Sequence, residues 1–124
     1  ARHNAQVNGL GTLRTRLLDW REPPPDLPLV PLVVAADVLY EQRNGVALRP
    51  LLARLVQLCG RVLLADPRRV YLEDFVRAMQ ADGWTVRALP DRREPAPAAP
   101  GREIVVKLFE LRPPPAVSGD VRVE

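Results

Sequence analysis

The sequence has few of the residues that mark several protein classes. With Cys59 as its one cysteine, it cannot form a disulfide framework within the chain or a cysteine-rich zinc site. No apolar run approaches the roughly 20 residues that span a bilayer. The chain does not begin with Met and shows no charged segment followed by an apolar one, so we expect no leader and expect that the true start lies upstream of Ala1. These features predict a cytoplasmic protein without a membrane segment.

Histidine and lysine are also scarce. The single histidine, His3, has no nucleophile near it in the sequence, and no spacing of His, Cys, Asp or Glu indicates a metal site. Seventeen of the eighteen basic residues are arginine, scattered among acids, so the net charge of +3 indicates a mildly basic surface. A nucleic-acid-binding α/β domain is the alternative, using Arg68, Arg69, Arg92 and Arg93. Because no aromatic platform accompanies these arginines, the sequence argues against it.

The composition is that of one globular domain, since 47% of the 124 residues are hydrophobic and 27% are charged. We assign residues 1–112 to this domain. Residues 113–124 have too few apolar side chains to pack, and we expect them to be a disordered tail.

The first third of the chain has weak patterns. Residues 1–10 resemble the end of a helix that stops at Gly9 or Gly11. Residues 12–20, TLRTRLLDW, are short and partly alternating, which predicts a strand. Residues 21–31 contain five prolines, and their fixed backbones and missing donors predict a loop.

A continuous apolar run follows at residues 32–37, LVVAAD, and residues 61–66, RVLLAD, resemble a second buried strand; each segment ends in an aspartate. Such runs are typical of strands covered on both faces, as in a parallel sheet. Between them we predict a helix that begins near Asn44, tolerates Pro50 only in its first turn and ends at Gly60. Its apolar stripe contains Leu48, Leu51, Leu52, Leu55 and Cys59, which makes Cys59 a small buried hydrophobe.

The pattern then repeats. An amphipathic helix is predicted by Leu72, Phe75, Val76 and Met79, and Gly83 ends it. Residues 84–89 and 103–111 predict two more strands, joined by a Pro- and Ala-rich loop at residues 90–101.

This alternation predicts an α/β domain with a mostly parallel sheet. Ligands bind such sheets beyond the carboxyl ends of the strands, where Asp37 and Asp66 lie. Asp66 precedes Pro67, which favours a turn. Asp37 is followed by Tyr40 and Glu41, and this pattern favours a functional site.

Taken in order, several segments resemble the C-terminal half of a class I S-adenosylmethionine-dependent methyltransferase. They are NAQVNGL, LLDW, AADVLYE and GRVLLADPRR, followed by a Phe-containing helix and GW. The resemblance is closest to the branch of nicotinamide N-methyltransferase-like and lysine methyltransferase-like proteins. It implies a doubly wound, Rossmann-like sheet of order 3-2-1-4-5-7-6 with a terminal antiparallel strand. The first two strands and the glycine-rich cofactor turn are missing.

The resemblance also implies a site. Asp19 and Trp20 would contact the adenine of S-adenosylmethionine, although Trp20 as ordinary core is the alternative. Ala35 and Ala36 would leave room for the cofactor, and Asp37 and Tyr40 would orient or desolvate the acceptor.

The implied function is methyl transfer to a nitrogen of a small amine or a protein lysine. On this interpretation the chain is a fragment, and the missing N-terminal half or a complementing chain completes the catalyst. Two alternatives remain open at this stage. In the first, the chain is a non-catalytic, methyltransferase-like interaction module. In the second, it packs in a way that the family does not suggest.

Overall fold

A computed structural model describes residues 1–68 and 70–116 of the chain. In these residues seven elements follow one another: α1 (Arg2–Val7), β1 (Val30–Ala36), α2 (Gln42–Leu55), β2 (Val56–Asp66), α3 (Leu72–Ala81), β3 (Thr85–Pro95) and β4 (Glu103–Arg112). The predicted tail is described only as far as residue 116, so the expectation for residues 117–124 lies outside the described part.

The four strands form one sheet in the order β1-β2-β4-β3. Strands β1 and β2 are parallel, whereas β4 is antiparallel to both of its neighbours. This is the order that the resemblance implies for the last four strands of the sheet. The predicted α/β fold with a mostly parallel sheet and one antiparallel strand is therefore confirmed.

The boundary between α2 and β2 differs from the prediction. The helix ends at Leu55 and β2 begins at the next residue, so Gly60 lies in a strand and does not end a helix. The β1–β2 register shifts between Val30 and Leu32, and there a Cβ on Gly60 would lie 2.8 Å from the carbonyl oxygen of Pro31. Glycine is thus required by a close backbone approach. Cys59, predicted to be buried, is exposed on this strand.

Two details of α2 also differ. Asn44 lies in the first turn and does not cap the helix, because the residue before the helix is Glu41. Pro50 lies in the middle of the helix, although a proline there removes one intrahelical hydrogen bond.

Residues 12–19 form no strand. A strand needs a neighbouring strand to pair with its backbone N–H and C=O groups, and a lone strand leaves these groups without partners. The side chain of Leu17 is fully exposed. Helix α1 ends before Gly9, which adopts φ +73°, as the predicted stop requires.

The core lies between one face of the sheet and helices α2 and α3. From the sheet, Val62, Leu64 and Leu111 point into this layer. From the helices, Leu52, Phe75 and other apolar side chains complete it. The helix stripes predicted from the sequence supply these contacts.

The opposite face of the sheet contributes no member to the buried cluster of the core. Residues on that face alternate with the core residues, and at the β1 edge Leu32 and Val34 are 44% and 69% exposed. Next to this apolar area lies Glu110, with a side chain only 5% exposed and ion pairs to Arg61, Arg87 and Arg112 at 2.9–3.3 Å. These guanidinium groups, with the hydrogen bond from Arg61 first, lower the pKa of Glu110.

Candidate functional site

A tight turn follows the LLDW segment. The carbonyl oxygen of Asp19 accepts a hydrogen bond from the backbone N–H of Glu22 at 3.1 Å. The Asp19 Oδ1 accepts from the backbone N–H of Arg21 at 3.0 Å and from its Nε at 3.2 Å, and Oδ2 accepts from its Nη2 at 3.2 Å. Aspartate favours such turns because its side chain bonds the backbone two residues further on. The turn therefore fixes the orientation of the Asp19 carboxylate.

The turn is attached to helix α2. Arg54 in the last turn of the helix donates hydrogen bonds to the carbonyl oxygens of Pro23 at 3.1 Å and Pro24 at 2.8 Å. Leu18 and Trp20 pack against the core cluster and are partly buried. The Pro-rich loop thus holds the DW dipeptide beside α2 without regular secondary structure.

A cavity of about 320 Å³ opens between this turn and the start of α2. Its size is near the lower end of the roughly 300–1,000 Å³ of small-molecule sites. The lining combines an aromatic ring from each side with polar groups of both charges. It consists of Leu18, Asp19, Trp20, Arg21, Tyr40, Arg43, Asn44 and Ala47.

The hydrogen bonds from Arg21, the side-chain bonds first, lower the pKa of Asp19, so this carboxylate stays charged at neutral pH. They also raise the pKa of Arg21. The pair is solvent-exposed, and Asp19 keeps acceptor capacity because a carboxylate offers about four lone-pair sites. The cavity therefore offers a fixed anionic acceptor at its wall.

Asn44 contributes a side-chain amide to this cavity, and the amide nitrogen lacks a hydrogen-bond partner in the described part of the chain. Its Nδ2 is buried and has no hydrogen-bond partner among residues 1–68 and 70–116. A buried amide donor without a partner costs free energy, since it has lost its water. A ligand with an acceptor atom in the cavity would satisfy it.

The predicted site residues fall into two groups. Asp19, Trp20 and Tyr40 line the cavity together, although Trp20 and Tyr40 are separated by the whole of β1. Asp37, Ala35 and Ala36 do not line it.

Asp37 is the first residue after β1, is exposed, and donates its backbone N–H to the carbonyl oxygen of Ala65 at 2.9 Å. Its φ of +52° is in the left-handed region, which aspartate adopts more readily than most residues. Ala35 points toward the helices and packs against the core, whereas Ala36 is exposed. The roles predicted for these three residues stay predictions.

Sequence reasoning missed Arg21, Arg43 and Asn44. The sequence pattern predicts Asn44 as a helix cap and gives no sign of its place in the cavity. Arg21 follows the DW dipeptide directly, and its spacing of two residues from Asp19 is the signal for the turn.

The described residues contain no group of three or more His, Cys, Asp or Glu side chains that could hold a metal ion. Within the same part of the chain, every helix is too short or too polar to cross a bilayer.

No protein-family model matches the chain, and no curated protein matches it either. Among solved structures, it is similar to the crystal structure of a precorrin-6y C5,15-methyltransferase from Geobacter metallireducens GS-15. The TM-score is 0.59 and the sequence identity is 15%, over 90% of this chain and 59% of that one. This chain thus shares its fold with part of that protein. The likeness supports the predicted fold and does not distinguish the nicotinamide- and lysine-modifying branch.

Proposed function

We propose that this chain contributes to an S-adenosylmethionine-dependent methyltransferase that modifies a nitrogen of a small amine or a protein lysine. One observation carries the proposal. Asp19 and Trp20 from the loop and Tyr40 from the β1–α2 connection line the same cavity, on a fold that occurs in a methyltransferase.

The lining fits the adenosine part of the cofactor. Trp20 offers a ring face for stacking, Asp19 accepts from an amino group, and Nδ2 of Asn44 is a buried donor that needs an acceptor such as a ring nitrogen. When bound, S-adenosylmethionine supplies an electrophilic methyl group on a sulfonium. Ala35 and Ala36, as small side chains next to the end of β1, would leave room beside the strand.

In this proposal Asp37 and Tyr40 position the acceptor. Both follow the carboxyl end of β1, and Tyr40 is 57% exposed. A carboxylate near an acceptor amine orients it and offsets developing positive charge on its nitrogen. Asp37→Asn keeps the left-handed backbone accessible while it removes the charge. Turnover with the true acceptor should fall while cofactor affinity stays unchanged, and unchanged turnover would remove Asp37 from the site.

The open edge of β1 supports a further part of the proposal, which is completion by an additional segment, on the N-terminal side or on another chain. Among the described strands, β1 pairs with β2 alone and ends the sheet. The apolar side chains of Leu32 and Val34 are exposed at this edge. An exposed, apolar edge strand is a template for another strand. A complementing strand and a layer over this face would cover both features.

The same uncovered face favours a second candidate function, a non-catalytic interaction module. The two candidates differ in one property, because only the methyltransferase needs to bind the cofactor. Methyl-donor binding therefore discriminates between them.

Calorimetric titration with S-adenosylhomocysteine tests the first candidate. Asp19→Ala should weaken binding by roughly tenfold, because a ligand donor loses its charged partner. The matched control is Asp26→Ala, since Asp26 also pairs with an arginine, Arg16, in the same loop but does not line the cavity. Equal affinities of the two variants would remove Asp19 from the site. Absence of binding to the wild-type protein, in its complete form, would favour the interaction module.

A further inference from the structure

A second cavity lies next to the first one and is separate from the proposed methyl-donor site. Its volume is about 560 Å³, and it is lined by Tyr40, Pro67, Arg68, Val70 and Tyr71. These residues follow the carboxyl ends of β1 and β2. Tyr40 lines both cavities, so a molecule in the second cavity lies beside one in the first.

Among the described residues that line this cavity, Arg68 is the one with a formally charged side chain. No hydrogen bond or ion pair joins its guanidinium group to another residue in the described part of the chain. Nearby acids on α3 face a different arginine, since Glu73 and Asp74 both lie 3.7 Å from Arg77. The five N–H donors of Arg68 remain available for an anion, which a guanidinium binds in a bidentate manner.

Four uncharged side chains form the rest of the described lining. Tyr40 and Tyr71 contribute two phenol rings, and Val70 is 79% exposed. Aromatic and aliphatic side chains that face a concave surface bind planar, apolar groups.

The backbone of this rim is unusual. Arg68 has φ +64° and Asp37 has φ +52°, and these are the non-glycine residues with positive φ in the described part. Such conformations cost free energy and cluster at ligand sites, where the surroundings hold them. The left-handed backbone of Arg68 follows Pro67, whose ring fixes its own φ.

We propose that this second cavity binds the methyl acceptor and that the acceptor is a planar aromatic compound with an acidic group. The ring lies against Tyr40 and Tyr71, and the carboxylate or other anionic group binds Arg68. This inference rests on the proposed function, because it identifies the second cavity as the acceptor side of the cofactor site. It narrows the nitrogen acceptor to an anionic heteroaromatic or aromatic amine.

Three probes of similar size separate the contributions of charge and ring. Benzoate has both the planar ring and the anion, benzamide has the ring without the charge, and cyclohexanecarboxylate has the charge without the planar ring. Titrations followed by the resonances of Tyr40 and Tyr71 should give benzoate the highest affinity. Equal affinity for benzoate and benzamide would overturn the role of Arg68, and equal affinity for benzoate and cyclohexanecarboxylate would overturn the role of the rings.

Variants test the arginine directly. Arg68→Asn suits the left-handed backbone and should weaken benzoate binding by about tenfold, whereas benzamide binding should stay unchanged. Arg68→Lys keeps the charge and should lose less affinity. The control is Arg77→Gln on α3, which should bind benzoate as the wild type does. Benzoate binding that is the same in Arg68→Asn and wild type would refute the proposal.

The two proposals fail in different ways. S-Adenosylhomocysteine is monitored at Trp20 in the first cavity, whereas benzoate is monitored at Tyr71 in the second. Benzoate binding without S-adenosylhomocysteine binding by the complete protein would refute the methyltransferase and with it the acceptor role. S-Adenosylhomocysteine binding without benzoate binding would refute only the acceptor inference.

Discussion

Gly60 lies at an irregular stretch of β2 where a side chain has no room. A Cβ at this position would lie 2.8 Å from the carbonyl oxygen of Pro31 and 3.1 Å from that of Gln57. Both oxygens belong to the backbone, so they cannot rotate away as the end of a flexible side chain does. We therefore expect Gly60→Ala to lower the free energy of unfolding by about 1–3 kcal/mol, the usual cost of overpacking.

Thermal unfolding followed by circular dichroism measures this effect. For a chain of this length, 1 kcal/mol corresponds to about 4 °C in Tm, so the Tm should fall by about 4–12 °C. Gly11→Ala is the matched control, because a Cβ at Gly11 meets no atom within 4 Å. It should leave stability unchanged or raise it by about 0.4–1 kcal/mol through the unfolded chain. If the two variants differed by less than about 0.5 kcal/mol, the strand register at Gly60 would be wrong.

The remaining predictions address the core, the thiol and the buried carboxylate. Leu52→Ala should cost about 2–5 kcal/mol in urea unfolding because Leu52 is 1% exposed in the core, whereas Leu58→Ala, at a 64% exposed position, should change stability by less than about 0.5 kcal/mol. Cys59 should react with a thiol reagent in the native protein as fast as in urea, and protection would favour a buried position. The pKa of Glu110 is lowered in the folded protein, so its ion pairs stabilise the fold at pH values above its ordinary pKa of 4.5. This stabilisation is lost as the pH falls below 4.5 and the carboxylate takes up a proton. Glu110→Gln should therefore destabilise the protein at pH 7 and lose its difference from wild type in acid, and a difference that persists at pH 2 would contradict this reasoning.

Helix α3 and strands β3 and β4 could be predicted from local patterns. The apolar stripe through Leu72, Phe75 and Met79 is buried as expected, and Gly83 adopts the positive φ that a helix stop requires. Here the periodicity, the stop signal and the tertiary contacts agree. The sequence pattern places the end of β3 too early, because it predicts a loop at residues 90–101. Residues 92–95 pair with β4 after an irregularity that follows Leu89.

The end of α2 could not be predicted in this way. Cys59 follows Leu55 by four residues, which is helical spacing, and Gly60 resembles a stop. The tertiary pairing of Val30 with Val56 and of Leu32 with Arg61 selects a strand instead. Strand formation at this point depends on contacts distant in sequence, and the apolar spacing within the segment carries no information about them.

At residues 12–19 the local pattern predicts a strand that the structure does not form, again because of contacts distant in sequence. Its alternation favours a strand, but no described strand lies beside it to accept the hydrogen bonds. The DW dipeptide is nevertheless held in a defined position. Asp19 and Trp20 share a cavity with Tyr40 without a strand to position them, because the turn at Asp19 and the bonds from Arg54 hold the loop.

The two tryptophans of the chain offer the most direct test of the proposed methyl-donor site. Trp20 lines the first cavity, whereas Trp84 is 5% exposed in the core and does not line it. Each indole N–H gives one resonance in a two-dimensional ¹H–¹⁵N NMR spectrum, and Trp20→Phe assigns them. The core indole is thus an internal control within the same sample.

S-Adenosylhomocysteine should shift the Trp20 indole resonance in a saturable way and leave that of Trp84 in place. Binding as weak as a Kd of about 1 mM, about 4 kcal/mol, is still measurable by this titration, so a site that lacks a complementing strand remains testable. Adenosine should produce the same shift, and methionine should not. In the complete protein, an unmoved Trp20 resonance at ligand concentrations well above 1 mM, or equal shifts of both indoles, would contradict the proposal that the first cavity binds the methyl donor.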